Sequence, residues 1–230
     1  FGFLSDYFQV TYLCDVSDNA LSHCAKKVVG GPPKTTRKAE DLCASPDVDI
    51  VMIANSDAFH VPHAVLGLKH DKVVFIEKPM ALSLHDADQL IDLEKKSSGK
   101  VMVGYMRRYA SGFIDAVKEI GSFEQVCYAR VRDIVGPNSD FVGQSGTFPK
   151  VFSDYREEDV KELSDKTNEF LEQALTTELG IPVTADTAAQ WRNLGSLGSH
   201  DLSAMREALG MPTAVLGASL CSARGPPFWR

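Results

Sequence analysis

Five short stretches of the chain hold side chains whose types and spacing suit chemistry. Asp15 closes a run with strand character, residues 9–16. A carboxylate there can accept hydrogen bonds from the ribose hydroxyls of a dinucleotide, and its alternative is a solvated strand-end acid. Ala54, Asn55 and the residues up to His60 follow the apolar run DIVMIA. Glu77-Lys78-Pro79 follows KVVFI, which puts an ammonium group at the end of a central strand. A lysine is costly to bury there without a task or a partner. It can hold a substrate hydroxyl and lower its pKa, or it can simply pair with Glu77. Arg107 and Arg108 can pin a carboxylate or a phosphate, or make a structural ion pair. In the stretch Gly195–Asp201, Ser196 and His200 lie four apart and share one helical face. His200 suits proton transfer, and Gly195 and Gly198 let a ligand or backbone approach closely. The alternative is a core histidine beside packing glycines. His60 and His63 have a metal-like spacing, but no third ligand is placed near them, so they read as two histidines at a helix start, and no metal is expected.

These residues need elements to hold them. Strands are expected at 9–16, 49–54, 72–76 and 101–105. The two central runs are apolar enough for strands buried on both faces. Helices are expected from Ser17, over 38–44, over 61–69 with Pro62 in the first turn, and from Ser83 to Lys96, where Ser83 and Asp86 resemble a capping box. Strand–helix alternation of this kind predicts a parallel, doubly wound α/β sheet with its ligand at the carboxyl ends of the strands. Beyond Tyr105 the pattern changes. A helix over 111–120 is followed by a long alternating strand, 123–135, then a Gly/Pro/Ser-rich loop to 149. Helical patterns follow over 157–179 and 186–209, and a strand over 213–220. The chain therefore divides into a Rossmann-type domain, 1–105, and an α+β domain with an open, mainly antiparallel sheet, 106–230, each expected to be incomplete at its outer end.

The chain has 230 residues, 44% hydrophobic, with a formal net charge of −7. An acidic surface disfavours nucleic acid or an anionic membrane as the main partner. Its apolar runs are too short to span a bilayer. Five scattered cysteines without a CxxC pair suit reduced thiols and a cytoplasmic setting.

Taken in order, Asp15, ANSDAFH at 54–60, EKPM at 77–80, GYMRRY at 104–109 and GSHDL at 198–202 resemble the Gfo/Idh/MocA family of oxidoreductases, which includes glucose–fructose oxidoreductase and inositol dehydrogenases. The resemblance runs from about Val10 to Leu220. It implies hydride transfer between a nicotinamide cofactor and a carbinol of a sugar or polyol, and a homo-oligomer for the full-length protein. It implies that Lys78 and His200 are catalytic. Asp15, Ala54, Asn55, His60, Glu77, Lys78, Pro79 and Arg107 would bind the cofactor, and Lys78, Tyr109, Asp201 and His200 the substrate. The cofactor is NAD or NADP, with NAD preferred because Val16 and Ser17 bring no cation for a 2′-phosphate.

Two departures from the family pattern stand out. Ser196 occupies a position where many members have an aspartate, and a serine cannot ionise to drive the imidazole as a base. The phosphate-binding glycine turn, which normally lies about 20 residues before the acidic residue, would fall upstream of Phe1. No GxGxxG occurs in the chain, so it is expected to bind NAD weakly as written. A non-enzymatic sensor or binding subunit, or an inactive truncated product, are the competing expectations.

Overall fold

The computed structural model describes residues 4–132, 143 and 150–217. Its first hundred residues alternate strand and helix. In chain order they are β1 (Tyr12–Cys14), α1 (Asp18–Ala25), β2 (Lys34–Thr36), α2 (Ala39–Cys43), β3 (Ile50–Ile53), α3 (His60–Lys69), β4 (Val73–Glu77), α4 (Leu84–Lys96) and β5 (Val101–Gly104). After them come α5 (Ser111–Ile120), α6 (Glu157–Leu171), α7 (Ala185–Asn193) and α8 (Ser199–Leu209). Local chemistry explains the helix starts. Ser17 Oγ accepts the Ala20 N–H and Ser83 Oγ the Asp86 N–H, each satisfying a donor that the first helical turn leaves open.

All strand pairings are parallel, as the alternation predicts. β1 pairs with β2 in one sheet; β3, β4 and β5 form a second in that order. The register pairs Ile53 with Ile76 and Ile76 with Val103, so the ends of β3, β4 and β5 lie level. β1 and β3 are not bonded to one another, and a cavity separates their ends.

The core lies on one side of the larger sheet. Val51, Ile53, Val74 and Ile76 pack with Val61, Ala64 and Leu68 of α3 and Leu90 of α4. Gly67 allows α3 to come close, since a Cβ there would stand 2.7 Å from Val74 Cγ2. On the other face Ile50, Met52, Val73 and Met102 remain 42–47% exposed. This corrects the expectation of strands buried on both faces: among the described residues, helices cover one face only.

A second cluster joins α6 and α7 to this sheet. Phe170, Leu171 and Leu175 pack on Ala58 and Leu82, and the Trp191 indole N–H donates to the Leu82 carbonyl at 2.9 Å. Residues 172–178 and 194–198 are π-helical, so α7 and α8 continue one into the other through a widened turn.

The expected strands of the second half are not found among the described residues. Residues 123–132 form no strand, and Tyr128 is 82% exposed. Residues 213–217 likewise form none, and Leu216 is 99% exposed. Alternation states which face would be buried but supplies no neighbouring strand for the backbone N–H and C=O groups. The rest of those two expected strands, and most of the expected loop, lie outside the described residues. β2, only three residues long, carried no sequence signal.

Candidate active site at the strand ends

The level strand ends of β3, β4 and β5 release three loops side by side. β4 ends in Glu77, and the Lys78–Pro79 peptide that follows is cis. The Lys78 N–H donates to Glu77 Oε2 at 3.2 Å, while its ammonium Nζ reaches across 118 residues to donate to the Ser196 carbonyl at 2.9 Å. That carbonyl belongs to the π-helical turn of residues 194–198, where the ordinary helical bonding is interrupted and a carbonyl is available. Gly195 packs closely on the loop after β4: a Cβ there would stand 2.2 Å from Leu82 Cδ2, which would have to move.

His200 begins the helix one turn beyond Ser196. It is 5% exposed and meets the edge of Tyr105 with ring centroids 5.9 Å apart. Asp201 faces Arg107 at 3.6 Å. Arg108 pairs with Glu207, again on α8. The loop after β5 is therefore bound to α8 by two ion pairs, and Lys78, His200, Asp201 and Arg107 gather at one junction. Tyr109 stands at the surface, 63% exposed.

His60 was expected to line a cofactor. It is 2% exposed, and its ring nitrogens engage the carbonyls of Pro79, Nδ1 at 2.7 Å, and Asn55, Nε2 at 3.2 Å. Its contacts are to the protein, and it ties the loop after β3 to the loop after β4. Pro79 is buried beside it.

Asp15, Ala54 and Asn55 lie at the cavity between β1 and β3, whose volume is about 550 Å³, within the range of small-molecule sites. Asp15 Oδ1 accepts the Ser17 N–H at 2.7 Å. The Asn55 amide Nδ2 lies 3.0 Å from His63 Nδ1. Burial, and then the neighbouring His60, push the His63 pKa down, so its ring is neutral at pH 7. Burial, aided by Asp15 and Asp41, pushes the Cys14 thiol up to about 11, so it is not a nucleophile here.

Helix α6 closes the other side of the cavity with Tyr155, just before it, and Asp159, Glu162 and Leu163. Its approach is fixed by charge. Asp154 accepts from Ser17 Oγ at 2.5 Å and from the Asn19 N–H at 3.0 Å, and Asp159 pairs with Arg37 at 2.6 Å. The sequence reading missed Arg37, His63, Asp154 and Asp159. His63 lies within a motif that was weighed. The other three are single charges whose contacts between residues 154–159 and the first hundred residues span more than 120 residues.

Residues 4–105 match a family profile described as "Oxidoreductase family, NAD-binding Rossmann fold", that of Gfo/Idh/MocA. Among curated proteins, the chain is similar to inositol 2-dehydrogenase of Salmonella typhimurium, 38% identical over 118 residues, which is 50% of this chain and 34% of that one. A myo-inositol 2-dehydrogenase of Thermotoga maritima is 29% identical over 138 residues, 58% of this chain and 41% of that protein. The chain thus spans between a third and two fifths of the length of these relatives. Among solved structures, a probable dehydrogenase from Thermotoga maritima matches 51% of this chain and 35% of its own, at 27% identity and a TM-score of 0.48.

Proposed function

We propose that the chain is part of an NAD(P)-dependent oxidoreductase, NAD preferred, that moves a hydride between nicotinamide and a carbinol of a polyol or sugar. The observation that carries this reading is the hydrogen bond from the Lys78 ammonium to the Ser196 carbonyl, one helical turn from His200. It joins the end of the central strand to the turn that leads into α8 and its buried imidazole. The relatives named as inositol dehydrogenases support a polyol as substrate.

The residues around the first cavity fit an adenosine. Asp15 offers carboxylate oxygen to ribose hydroxyls, and the volume is adequate. When bound, the nicotinamide supplies the hydride acceptor. The chain's own groups do the rest. Lys78 orients the carbinol oxygen and stabilises the negative charge that develops there; His200 takes its proton. Ser196 contributes only its backbone carbonyl, and Arg107 holds the Asp201 carboxylate beside the histidine. Residues 1–105 would form the nucleotide half and 106–230 the substrate and oligomer half.

No helix among the described residues is long and apolar enough to cross a membrane. The four cysteines among the described residues are free, which supports a reducing, cytoplasmic location, and we propose a homo-oligomer for the full-length protein.

The test is NAD⁺ reduction by the full-length protein with inositols and other polyols. Lys78→Ala and His200→Ala should each lower kcat/KM by about 100-fold or more. Rates that stay within about twofold of the parent in both variants refute the roles.

A further inference from the structure

Among the described residues, no lysine or arginine lines the cavity at the ends of β1 and β3, whereas Asp15, Asp159 and Glu162 all do. Its one imidazole, His63, is neutral. A ribose with free hydroxyls can enter such a site. A 2′-phosphate, carrying about two negative charges, meets three carboxylates and no lining cation.

A cation does stand close by. The Asp15 N–H donates to the Thr36 carbonyl, so Arg37, the residue just after β2, lies alongside the end of β1. Its guanidinium donates to the Val16 carbonyl, one residue past Asp15. An arginine beside the acidic residue at a strand end is the group that receives a 2′-phosphate in dinucleotide folds. Here it is engaged on every side. Asp159 of α6 takes its NH2 at 2.6 Å, Asp18 lies 3.5 Å from NH1, and its side chain is only 19% exposed. Asp159 is held in turn by the Arg156 N–H at 2.9 Å. Arg156 itself faces Asp18 and Glu158. Among the described residues, the carboxylates paired with Arg37 and Arg156 (Asp18, Asp159 and Glu158) outnumber the two arginines, and both arginines are engaged.

We propose that Asp159 sets the cofactor choice: by binding Arg37 it withdraws the cation a 2′-phosphate would need, and the site takes NAD and rejects NADP. This rests on the reading of the cavity as the adenosine site. Val16 and Ser17 themselves bring no cation to the end of β1. The fold does bring one there, and helix α6 neutralises it.

The test is equilibrium binding of NAD⁺ and NADP⁺ to the 230-residue chain and to the full-length protein, read as the ratio of the two dissociation constants. The ratio is insensitive to partial loss of fold, and a thermal melt checks each variant. The parent should prefer NAD⁺ by about tenfold or more. Asp159→Asn should cut that preference by about tenfold by freeing Arg37, and adding Arg37→Gln should restore it. A parent that binds both equally, or an Asp159→Asn ratio within about twofold of the parent, overturns the proposal while leaving the nucleotide site standing. Binding of neither dinucleotide to the full-length protein overturns the nucleotide reading, and this inference with it.

Discussion

At the residue scale, His60 joins two loops that the sequence shows only as separate motifs. Nδ1 and Nε2 engage the Pro79 and Asn55 carbonyls, and so tie the peptide next to Lys78 to the end of β3. A neutral imidazole donates through one nitrogen only, so replacing it with alanine leaves one carbonyl acceptor, that of Pro79 at the shorter distance, without its donor, which costs about 1–3 kcal/mol. His60→Ala should lower the urea midpoint accordingly, and His60→Gln, which keeps a donor, should recover part of the loss. An unchanged midpoint in His60→Ala would show that these bonds contribute nothing to stability. Asp15, Asn55, Lys78 and His200 were legible because each follows a strand or starts a helix, so local pattern alone puts it at an element's end. His60 was legible as a site-adjacent residue but not as a buried clamp, since its partners are carbonyls and every residue type offers those. Arg37 and Asp159 were not legible, because nothing local distinguishes a charge whose partner is 122 residues away.

At the element scale, helices and long strands of the first hundred residues follow from periodicity and caps, and they are found where the sequence predicts them. α3 shows why. Val61, Ala64 and Leu68 recur at helical spacing and face the buried side of β3 and β4. Leu68 is 1% exposed. Leu68→Ala should cost about 3 kcal/mol, within the usual range for a buried leucine, seen as a lower urea midpoint at unchanged slope. A loss under about 1 kcal/mol would mean that the site collapses around the smaller side chain. Strand prediction failed where pairing decides. The alternation over 123–132 is clear and no strand forms there, whereas Lys34–Thr36, without a pattern, pairs with β1. The π-helical turn at 194–198 was foreshadowed only by Gly195 and Gly198. Its offered carbonyl depends on Leu82 and Lys78 arriving from elsewhere.

At the scale of the whole molecule, the attachment of α6 to the first hundred residues is partly ionic. Hydrogen bonds from Ser17 Oγ and the Asn19 N–H hold the Asp154 carboxyl below its ordinary 3.8, and the Arg156 N–H, with Arg37, does the same for Asp159. A carboxyl whose folded pKa is lowered adds stability that is complete above the unfolded value and is lost as the pH falls through the folded one. Docking of α6 should therefore hold at neutral pH and weaken below 3.8. Hydrogen exchange at the α6 amides across that range measures it, and Asp154→Asn should flatten the dependence. A slope unchanged by that substitution would assign the acid sensitivity to other groups.

The sequence by itself determined the parallel α/β character of the first hundred residues and the strand ends at which Asp15, Asn55 and Lys78 stand. Those depend on period, caps and short motifs, which are properties of neighbouring residues. Only the tertiary structure decided that one sheet face lies open among the described residues, that Lys78 meets the turn before His200, and that α6 brings carboxylates onto Arg37. Each of those is a contact between distant segments, fixed by which surfaces exclude water together and which charges must be paired once they do.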